Sequence, residues 1–279
     1  MRNINIPATV KQLTQFIKQS VHAASFSQAV VAVSGGVDSA TSVSLAVRAL
    51  GKENIHAVLL PYKNWHEEAK THARQVLKNL KISEKNIHEV DIGSLVDSFV
   101  STVILGKHEV LTPESGFWTS QNDKIKLRLG NIMARVRMIV LYDLARKLKA
   151  LVIGTENKSE HYLGYFTRFG DEASDIEPIR QLYKTEVWEL AKYLKVPQEI
   201  VTKAPTAGLW PGQTDEGELG FTYKQADEVL YGLFDLKLSP AKLIKRGLDK
   251  ALVNQVQTWV KKVDFKHHLP LVALLPKTR

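Results

Sequence analysis

Short apolar segments alternate with amphipathic helical segments along the first two thirds of the chain. The apolar segments are too short for helices and are rich in valine, leucine and isoleucine, which is typical of buried strands. They predict strands over residues 29–33, 55–60, 87–92 and 151–154. The segments with helical spacing predict helices over residues 9–24, 38–50, 69–80, 125–148 and 184–194. This alternation predicts an α/β fold in which a doubly wound parallel sheet is flanked by helices.

Two segments without periodicity interrupt this pattern. Residues 105–124 and 203–220 are rich in Gly, Pro, Thr and Asp. Loops of that length are uncommon inside compact domains and often act as lids. Further along, Thr222 with Gln225 forms a capping box, and Ser239 before a proline starts another helix. We find no linker, so the sequence predicts one domain over residues 1–279.

Composition excludes several classes of protein. The chain has no cysteine, which rules out disulfides, thiolate metal sites and a cysteine nucleophile. It has no apolar run of about 18 residues and no recognisable signal peptide, so we expect a soluble cytoplasmic protein with no membrane partner. The formal charge of +9 suits an anionic partner. Because the basic residues are scattered, we favour a small polyphosphate and expect no nucleic-acid partner.

The segment AVSGGVDSA, residues 32–40, follows the first predicted strand and opens the next helix. Glycines at this position let the backbone approach a phosphate closely, and the helix start directs free N–H groups toward it. The chain lacks both G-x-x-x-x-G-K-[ST] and G-x-G-x-x-G. Asp38 would repel phosphate unless a cation lay between them, so it predicts bound Mg²⁺. Such a site suits cleavage of ATP between its α and β phosphates, with transfer of AMP to an acceptor.

Ser-Gly-Gly-x-Asp-Ser resembles the signature of the ATP pyrophosphatase group. Four further motifs together resemble NAD synthetase. They are GNIMARVRM (130–138), GTENKSEHYLGYFTRFGD (154–171), PIRQLYKTEVWELA (178–191) and KAPTAGLWPGQTDEGELG (203–220). The resemblance implies an adenine nucleotide alpha hydrolase-like, Rossmann-like fold. It also implies a homodimeric ligase that adenylates deamido-NAD and lets ammonia displace AMP.

The resemblance also implies the roles of individual residues. Asp38 and Glu160 ligate the Mg²⁺ ion, and Asp38 and Lys184 are the catalytic residues, with Lys184 neutralising the leaving pyrophosphate. The loop over residues 203–220 is expected to close over ATP. The implied ATP-binding residues are Ala32, Val33, Ser34, Gly35, Gly36, Val37, Asp38, Ser39, Thr155, Lys184 and Thr206.

A second set of residues matches the family's contacts with deamido-NAD. Position 168 is usually lysine in the family and is arginine here, and a phenylalanine at position 265 replaces the usual histidine. On the helix predicted over 125–148, the motif favours Arg135 over Arg137. His267 and His268 are interpreted as surface residues. The implied contacts are Arg135, Arg168, Asp175, Phe265 and Lys266.

Without a cysteine, the chain cannot contain the familiar cysteine-dependent glutaminase, so we expect free ammonia, or ammonia from a separate protein, to be the nucleophile. Two alternatives remain. One is a tRNA-modifying or other adenylating enzyme that uses the same loop, although thiolation would call for cysteines. The other is a nucleotide-binding regulator, which would be expected to have lost Asp38 or Glu160.

Overall fold

A computed structural model describes residue 2 and residues 4–63, 67–103, 123–210, 212–268, 270 and 272–273, without the side chains of residues 123–125. The predicted loop over residues 105–124 lies almost entirely outside the described residues. The described chain contains four parallel strands: β1 (Gln28–Ala32), β2 (Ile55–Leu59), β3 (Ile87–Glu89) and β4 (Ala150–Ile153).

The strand order is β3-β2-β1-β4. The chain adds β2 and β3 on one side of β1 and then returns to add β4 on the other side. The direction of strand addition therefore changes between β1 and β4, which is the switch point of the sheet. Ligands of such sheets bind outside the carboxyl ends of the strands at the switch point. Both the glycine loop after β1 and the motif after β4 leave the sheet there. The predicted doubly wound parallel sheet is confirmed.

Helices follow and cover the strands. Most of their bounds lie within two or three residues of those predicted, but α4 and α6 were not predicted. Three-residue 3₁₀ turns precede β2 and β3, and a π-helical turn, Tyr231–Asp235, continues α10. The helices are α1 (Ile6–Ala23), α2 (Val37–Leu50), α3 (Glu67–Asn79), α4 (Gly93–Val103), α5 (Asp123–Leu148), α6 (Lys158–Leu163), α7 (Lys184–Tyr193), α8 (Gln198–Thr202), α9 (Asp215–Leu219), α10 (Tyr223–Leu230), α11 (Pro240–Lys245) and α12 (Lys250–Val263).

Alternate residues of each strand face opposite sides of the sheet, and both sides are buried at β1, β2 and β4, whereas the edge strand β3 is partly exposed. Ala29 and Val31 of β1 belong to the core beneath α1, α2, α3 and α7. Val30 of the same strand packs instead beneath α5, with Leu141 and Ala145. Because both faces are covered, the strands appear in the sequence as continuous apolar runs rather than alternating ones.

A second helical layer holds the site against this sheet. Buried side chains of α6, α7, α10 and α12 form one cluster that includes Leu163, Tyr183, Tyr223 and Val253. Helix α7 thus packs against α1 and α2 as well as against α6 and α10, and α6 packs against α10 and α12. No described helix has the length and apolar character needed to cross a membrane.

Two details of the C-terminal half refine the sequence analysis. The segment over residues 203–220 is not entirely a loop, because Thr214 caps the short helix α9 through Gly217 N–H. The predicted starts of α10 and α11 are confirmed, since Thr222 Oγ1 accepts from Gln225 N–H and Ser239 caps α11.

Candidate active site

The glycine loop connects the end of β1 to the first turn of α2. Gly35 has a φ of +82°, which L-residues rarely adopt, and a Cβ atom there would lie 2.0 Å from the Ala69 carbonyl oxygen of α3. Ser39 Oγ donates to the Gly36 carbonyl at 3.0 Å and accepts from Ser34 N–H at 3.2 Å. The loop is therefore fixed by its own serines and packed against α3.

Asp38 in the first turn of α2 faces two side chains from distant parts of the chain. Lys184 Nζ, at the start of α7, donates to Asp38 Oδ2 at 2.5 Å and to Glu160 Oε1 at 2.9 Å. Lys184 is buried, with 3% of its side chain exposed, whereas the two carboxylates keep 17% and 16%. One ammonium thus bridges two carboxylates beside the glycine loop.

A capping box in the segment NKSE places Glu160. Asn157 is the N-cap of α6 and its Oδ1 accepts from Glu160 N–H at 3.0 Å, while Glu160 Oε2 accepts from Asn157 N–H at 3.4 Å. The Asn157 amide then donates to Asp38 Oδ1 at 2.9 Å. Glu160 is therefore a helix-start acid that also faces the site.

Burial and neighbouring charges shift the protonation of this cluster. Burial raises the pKa of Glu160 to about 8, against the opposing effect of the Lys184 ammonium. Burial by itself would lower the pKa of Lys184, but Asp38 and Glu160 together raise it more, so the pKa lies above its ordinary value. Lys184 consequently stays charged beside the two acids.

Asp215 and Tyr223 close the far side of the cluster. Tyr223 OH donates to Asp215 Oδ2 at 3.1 Å, and the Lys184 ammonium lies 5.1 Å from the centre of the Tyr223 ring. Asp215 Oδ1 also accepts from Ala207 N–H at 2.9 Å. Burial raises the pKa of Asp215, while Lys184 opposes that rise. This third acid ties the segment that carries Thr206 to the surroundings of Lys184.

The donor set fits a hard divalent cation. The carboxylate oxygens of Asp38 and Glu160 converge on one point, which the Lys184 ammonium occupies. Within the described residues, no cluster of three or more His, Asp or Glu side chains forms a complete metal cage. A cation held here would need other ligands, and Mg²⁺ characteristically combines one or two carboxylates with substrate phosphates and water.

The other expected ATP contacts lie on segments around the cluster. Thr155 is half-buried and lies just after the end of β4. The backbone N–H groups of its neighbours Gly154 and Glu156 donate to the Ile176 carbonyl and to the Glu177 carboxylate. Thr206 is exposed, and its Oγ1 accepts from Gly208 N–H at 3.1 Å. Thr155 is thus at the carboxyl edge of the sheet, and Thr206 is on the segment that Asp215 anchors.

Four of the five residues expected to bind deamido-NAD lie in a connected group. Arg135 Nε donates to the Arg168 carbonyl at 3.2 Å. The Arg168 guanidinium stacks 5.2 Å from the centre of the Phe265 ring, which is 57% exposed. Lys266 Nζ donates to the carbonyls of Gly164 and Phe166, at 2.5 and 2.7 Å. Burial lowers the pKa of Lys266.

The fifth residue, Asp175, lies at the edge of the sheet. It is exposed, and its Oδ2 accepts from Val152 N–H at 2.8 Å, beside β4. Among the described residues, no hydrogen bond or ion pair joins it to Arg135, Arg168 or Phe265. Asp175 therefore borders the site from the side of β4.

The family model for NAD synthase matches residues 9–270 of the chain. The chain belongs to the NAD synthase family. The predicted family is confirmed, and so is the prediction that the protein is an enzyme of the ligase type. The glycine loop, the Asp38–Lys184–Glu160 cluster and the Arg168 group all fall within the matched residues.

Relatives in the NAD synthase family align over nearly the whole chain. The NH(3)-dependent NAD(+) synthetase of Fusobacterium nucleatum is 38% identical over 99% of this chain and 98% of its own length. That of Thermococcus kodakarensis is 42% identical, over 97% of this chain and 98% of its own. Among solved structures, an NMN synthetase from Francisella tularensis is 31% identical with a TM-score of 0.78, covering 99% of this chain and 100% of that one.

Several residues of this NAD synthase site were missed in the sequence. Asn157 could have been found, because N-x-x-E before an amphipathic segment indicates a capping box. Arg137 could not. Its Nε donates to the Leu60 carbonyl at the end of β2, and burial lowers its pKa to about 10. Nothing in the spacing of the two arginines distinguishes the one inside the protein.

One surface interpretation in the C-terminal segment is wrong. His268 is exposed, as expected, but His267 is half-buried and its ring lies 4.6 Å from that of His161 on α6. The reason is that the 3₁₀ turn Asp264–His267 folds back onto α6 after α12 ends. The turn thereby brings Phe265 and Lys266 to the site as well.

Proposed function

We propose that the protein forms NAD from deamido-NAD, ATP and ammonia through a deamido-NAD adenylate, releasing AMP and pyrophosphate in the last step of NAD synthesis. The observation that carries the proposal is the Lys184 ammonium bridging Asp38 and Glu160 beside the glycine loop. Curated relatives of similar length are named for ammonia-dependent NAD synthesis. ATP and deamido-NAD are thus the small-molecule substrates.

Adenylation requires the α phosphate to be separated from pyrophosphate. In this proposal the backbone of residues 32–39 receives the phosphates, with Thr155 and Thr206 as further ATP contacts. Asp38 and Glu160 would hold Mg²⁺, which stabilises negative charge on phosphate oxygens during transfer. With Asp38 and Glu160 holding the cation, the Lys184 ammonium would be free to pair with the departing pyrophosphate. A fixed ammonium there stabilises charge that develops in the transition state.

The group around Arg168 is suited to bind the second substrate. Arginine forms two parallel hydrogen bonds to a phosphate and also stacks on aromatic rings. Arg135, Arg168 and Lys266 provide positive charge for a dinucleotide diphosphate, and Phe265 adds an exposed ring. Asp175 borders the same region. In this proposal they orient the nicotinate carboxylate toward the α phosphate, so that positioning carries much of the rate.

Ammonia attacks the adenylate once it has formed. The chain has no cysteine, so the common cysteine-dependent glutaminase cannot operate in it, and we propose that residues 1–279 act as one synthetase domain that uses free ammonia. A cytoplasmic location stays a prediction.

A homodimer is the assembly we propose. Exposed apolar side chains concentrate on α4 and α5, where Leu95, Phe99 and Leu127 each keep about half of their surface in water. A shallow groove beside them is lined in part by Arg128 and Arg135. Pairing of this face would bury the apolar side chains and bring the deamido-NAD region close to the partner.

The proposal is tested by product analysis with purified protein, ATP and Mg²⁺. Deamido-NAD with ammonium is expected to yield NAD and AMP in equal amounts, and glutamine in place of ammonium is expected to yield none. Nicotinate mononucleotide is the comparison acceptor, because a solved relative is an NMN synthetase. Preference for the mononucleotide would redirect the proposal to that acceptor, and pyrophosphate release without either amide would redirect it to RNA.

Matched lysine variants connect the activity to the site. Lys184→Met removes the bridging ammonium, whereas Lys192→Met removes an exposed lysine that pairs with Glu189 nearby on α7. We expect the first variant to lose at least about a hundredfold in kcat, as when a transition-state donor is removed, and the second to retain it. Equal activity of the two variants would refute the role of Lys184.

A further inference from the structure

A buried carboxylate lies behind the two helix starts that carry Lys184 and Glu160. Asp227 has no exposure to solvent and belongs to α10, which packs against both α6 and α7. Its Oδ1 accepts a hydrogen bond from Ser159 Oγ. Its Oδ2 accepts from both the backbone N–H and the hydroxyl of Thr185, at 3.0 and 2.7 Å. Three donors from two helices thus converge on one carboxylate.

Ser159 extends this connection to Lys184. Its Oγ accepts from the Lys184 backbone N–H at 2.8 Å. The first amides of a helix have no partner within the helix and need an outside acceptor. The N-cap of α7 is Tyr183, whose hydroxyl donates to Asp235 instead of accepting from these amides. The start of α7 is therefore capped from α6 and α10 rather than by its own N-cap residue.

The clamp acts directly beside both charged side chains of the site. Ser159 precedes Glu160 in the chain, and Thr185 follows Lys184, so the backbone positions from which the two side chains extend are held by Asp227. We propose that Asp227 is a positioning residue for adenylation, which sets the separation of Lys184 and Glu160 through Ser159 and Thr185 without touching substrate. The inference rests on the roles proposed above for Lys184 and Glu160.

A carboxylate is the side chain that this position requires. An ionised carboxylate only accepts hydrogen bonds, and all three neighbouring groups are able to donate. Asparagine has nearly the same shape but places an NH₂ group against either the Ser159 hydroxyl or the amide of Thr185. A negative charge also favours the N-terminus of α7. Asp227→Asn therefore disrupts the clamp with little change in volume.

The test compares two aspartate-to-asparagine variants. Asp227→Asn disrupts the clamp, and Asp249→Asn makes the same change at the N-cap of α12, where Oδ1 accepts from Leu252 N–H at 2.8 Å. We expect Asp227→Asn to lower kcat roughly 10- to 100-fold, the scale expected for small misplacements of catalytic groups. The KM for deamido-NAD should change less than about threefold, because the residues that bind it lie elsewhere. Asp249→Asn should keep the wild-type kcat even where its melting temperature falls.

A double-variant cycle separates positioning from general loss of stability. Ser159→Ala removes the bridging hydroxyl, and we expect its kcat to fall as well. If Asp227 and Ser159 act through one connection, the variant that carries both Asp227→Asn and Ser159→Ala should lose little more kcat than the worse single variant. Thr185→Val removes the hydroxyl and should lower kcat. Thr185→Ser keeps a hydroxyl at this position and should retain the wild-type kcat. Rates are measured where thermal melts show each variant folded. If Asp227→Asn does not fold, Ser159→Ala and Thr185→Val carry the test.

The outcomes distinguish this inference from the proposed function. Wild-type kcat in folded Asp227→Asn, or fully multiplicative losses in the cycle, would overturn the inference while Lys184→Met remains inactive. Activity retained by Lys184→Met would instead overturn the proposed role of the site itself. A fall in kcat for Asp249→Asn as large as that for Asp227→Asn would show that stability, not position, controls the rate.

Discussion

Removing the Lys184 ammonium tests whether Lys184, Asp38 and Glu160 form one buried charge cluster. Methionine keeps an unbranched apolar side chain but no charge. In the protein the ammonium lies 2.5 Å from Asp38 and 2.9 Å from Glu160, and Lys184 is 3% exposed. Lys184→Met therefore leaves two neighbouring carboxylates in a mostly buried site without their counter-charge.

The size of the effect follows from this burial. Removal of one partner from a buried ion pair costs about 3–5 kcal/mol, because the other charge stays buried without compensation. Both carboxylates retain some contact with water, so we expect the lower end, about 3 kcal/mol. At about 2 °C per kcal/mol for a chain of this size, the melting temperature should fall by about 6 °C. Lys192→Met breaks an exposed pair, and we expect a change of about 2 °C or less.

The loss should also depend on pH. Burial raises the pKa of Glu160 to about 8 with Lys184 present, and removal of the ammonium raises this pKa further. In the unfolded chain a glutamate titrates near pH ~4.3. Between these values the folded state holds a proton that the unfolded state has released, so stability falls as pH rises. Wild type shares this decline up to about pH 8, so the deficit of Lys184→Met should widen only above that pH, where Glu160 ionises in wild type but stays protonated in the variant, and should be smaller near pH ~6.

Differential scanning fluorimetry at both pH values, with and without Mg²⁺, is the assay. A cation held by Asp38 and Glu160 should recover part of the lost melting temperature in Lys184→Met and have a smaller effect in wild type. If Lys184→Met melts as Lys192→Met does near pH ~8.5, the three groups do not form a buried charge cluster. A deficit of equal size at both pH values would refute the protonation of Glu160.

Three further outcomes can be measured separately. Gly35→Ala should weaken ATP binding at least about tenfold by calorimetry, because the positive φ adds strain of about 1–2 kcal/mol and the new Cβ atom would collide with a carbonyl of α3. The control is Gly247→Ala, which also has a positive φ but has open space around it and should leave ATP binding unchanged. Burial lowers the pKa of both His56 and His88, which hydrogen-bond to each other at 3.1 Å. Urea unfolding should therefore show that the free energy of unfolding falls as pH falls below ~6.5. This dependence on pH should be weaker after both histidines are replaced by glutamine. Leu127→Asp should shift sedimentation from dimer to monomer, and a monomeric wild type would remove the proposed assembly.

Much of the site could be predicted because its chemistry lies next to strand ends and helix starts. Asp38 follows β1 through the glycine loop, and Glu160 follows β4 through a capping box, so local pattern places both at the carboxyl edge of the sheet. Short continuous apolar runs predict the core strands in a similarly local way, since β1, β2 and β4 are short and covered on both faces. The six-residue helix α6 escaped prediction because so few turns carry little periodic signal, whereas the eleven-residue helix α4 was missed although its apolar residues recur at helical spacing.

The partners of these residues were decided only by the tertiary structure. Lys184 lies 146 residues from Asp38 in the chain, and Asp227 lies 68 residues from Ser159. Such pairs depend on the strand order and on how the C-terminal helices pack over α6 and α7. Local spacing cannot encode either. The sequence by itself determined a glycine loop after the first strand, two acids near strand ends and a parallel sheet. Only the fold decided that Lys184 joins the two acids, that Arg137 donates to the Leu60 carbonyl and that Asp227 holds both helix starts, because these contacts arise from packing between distant elements.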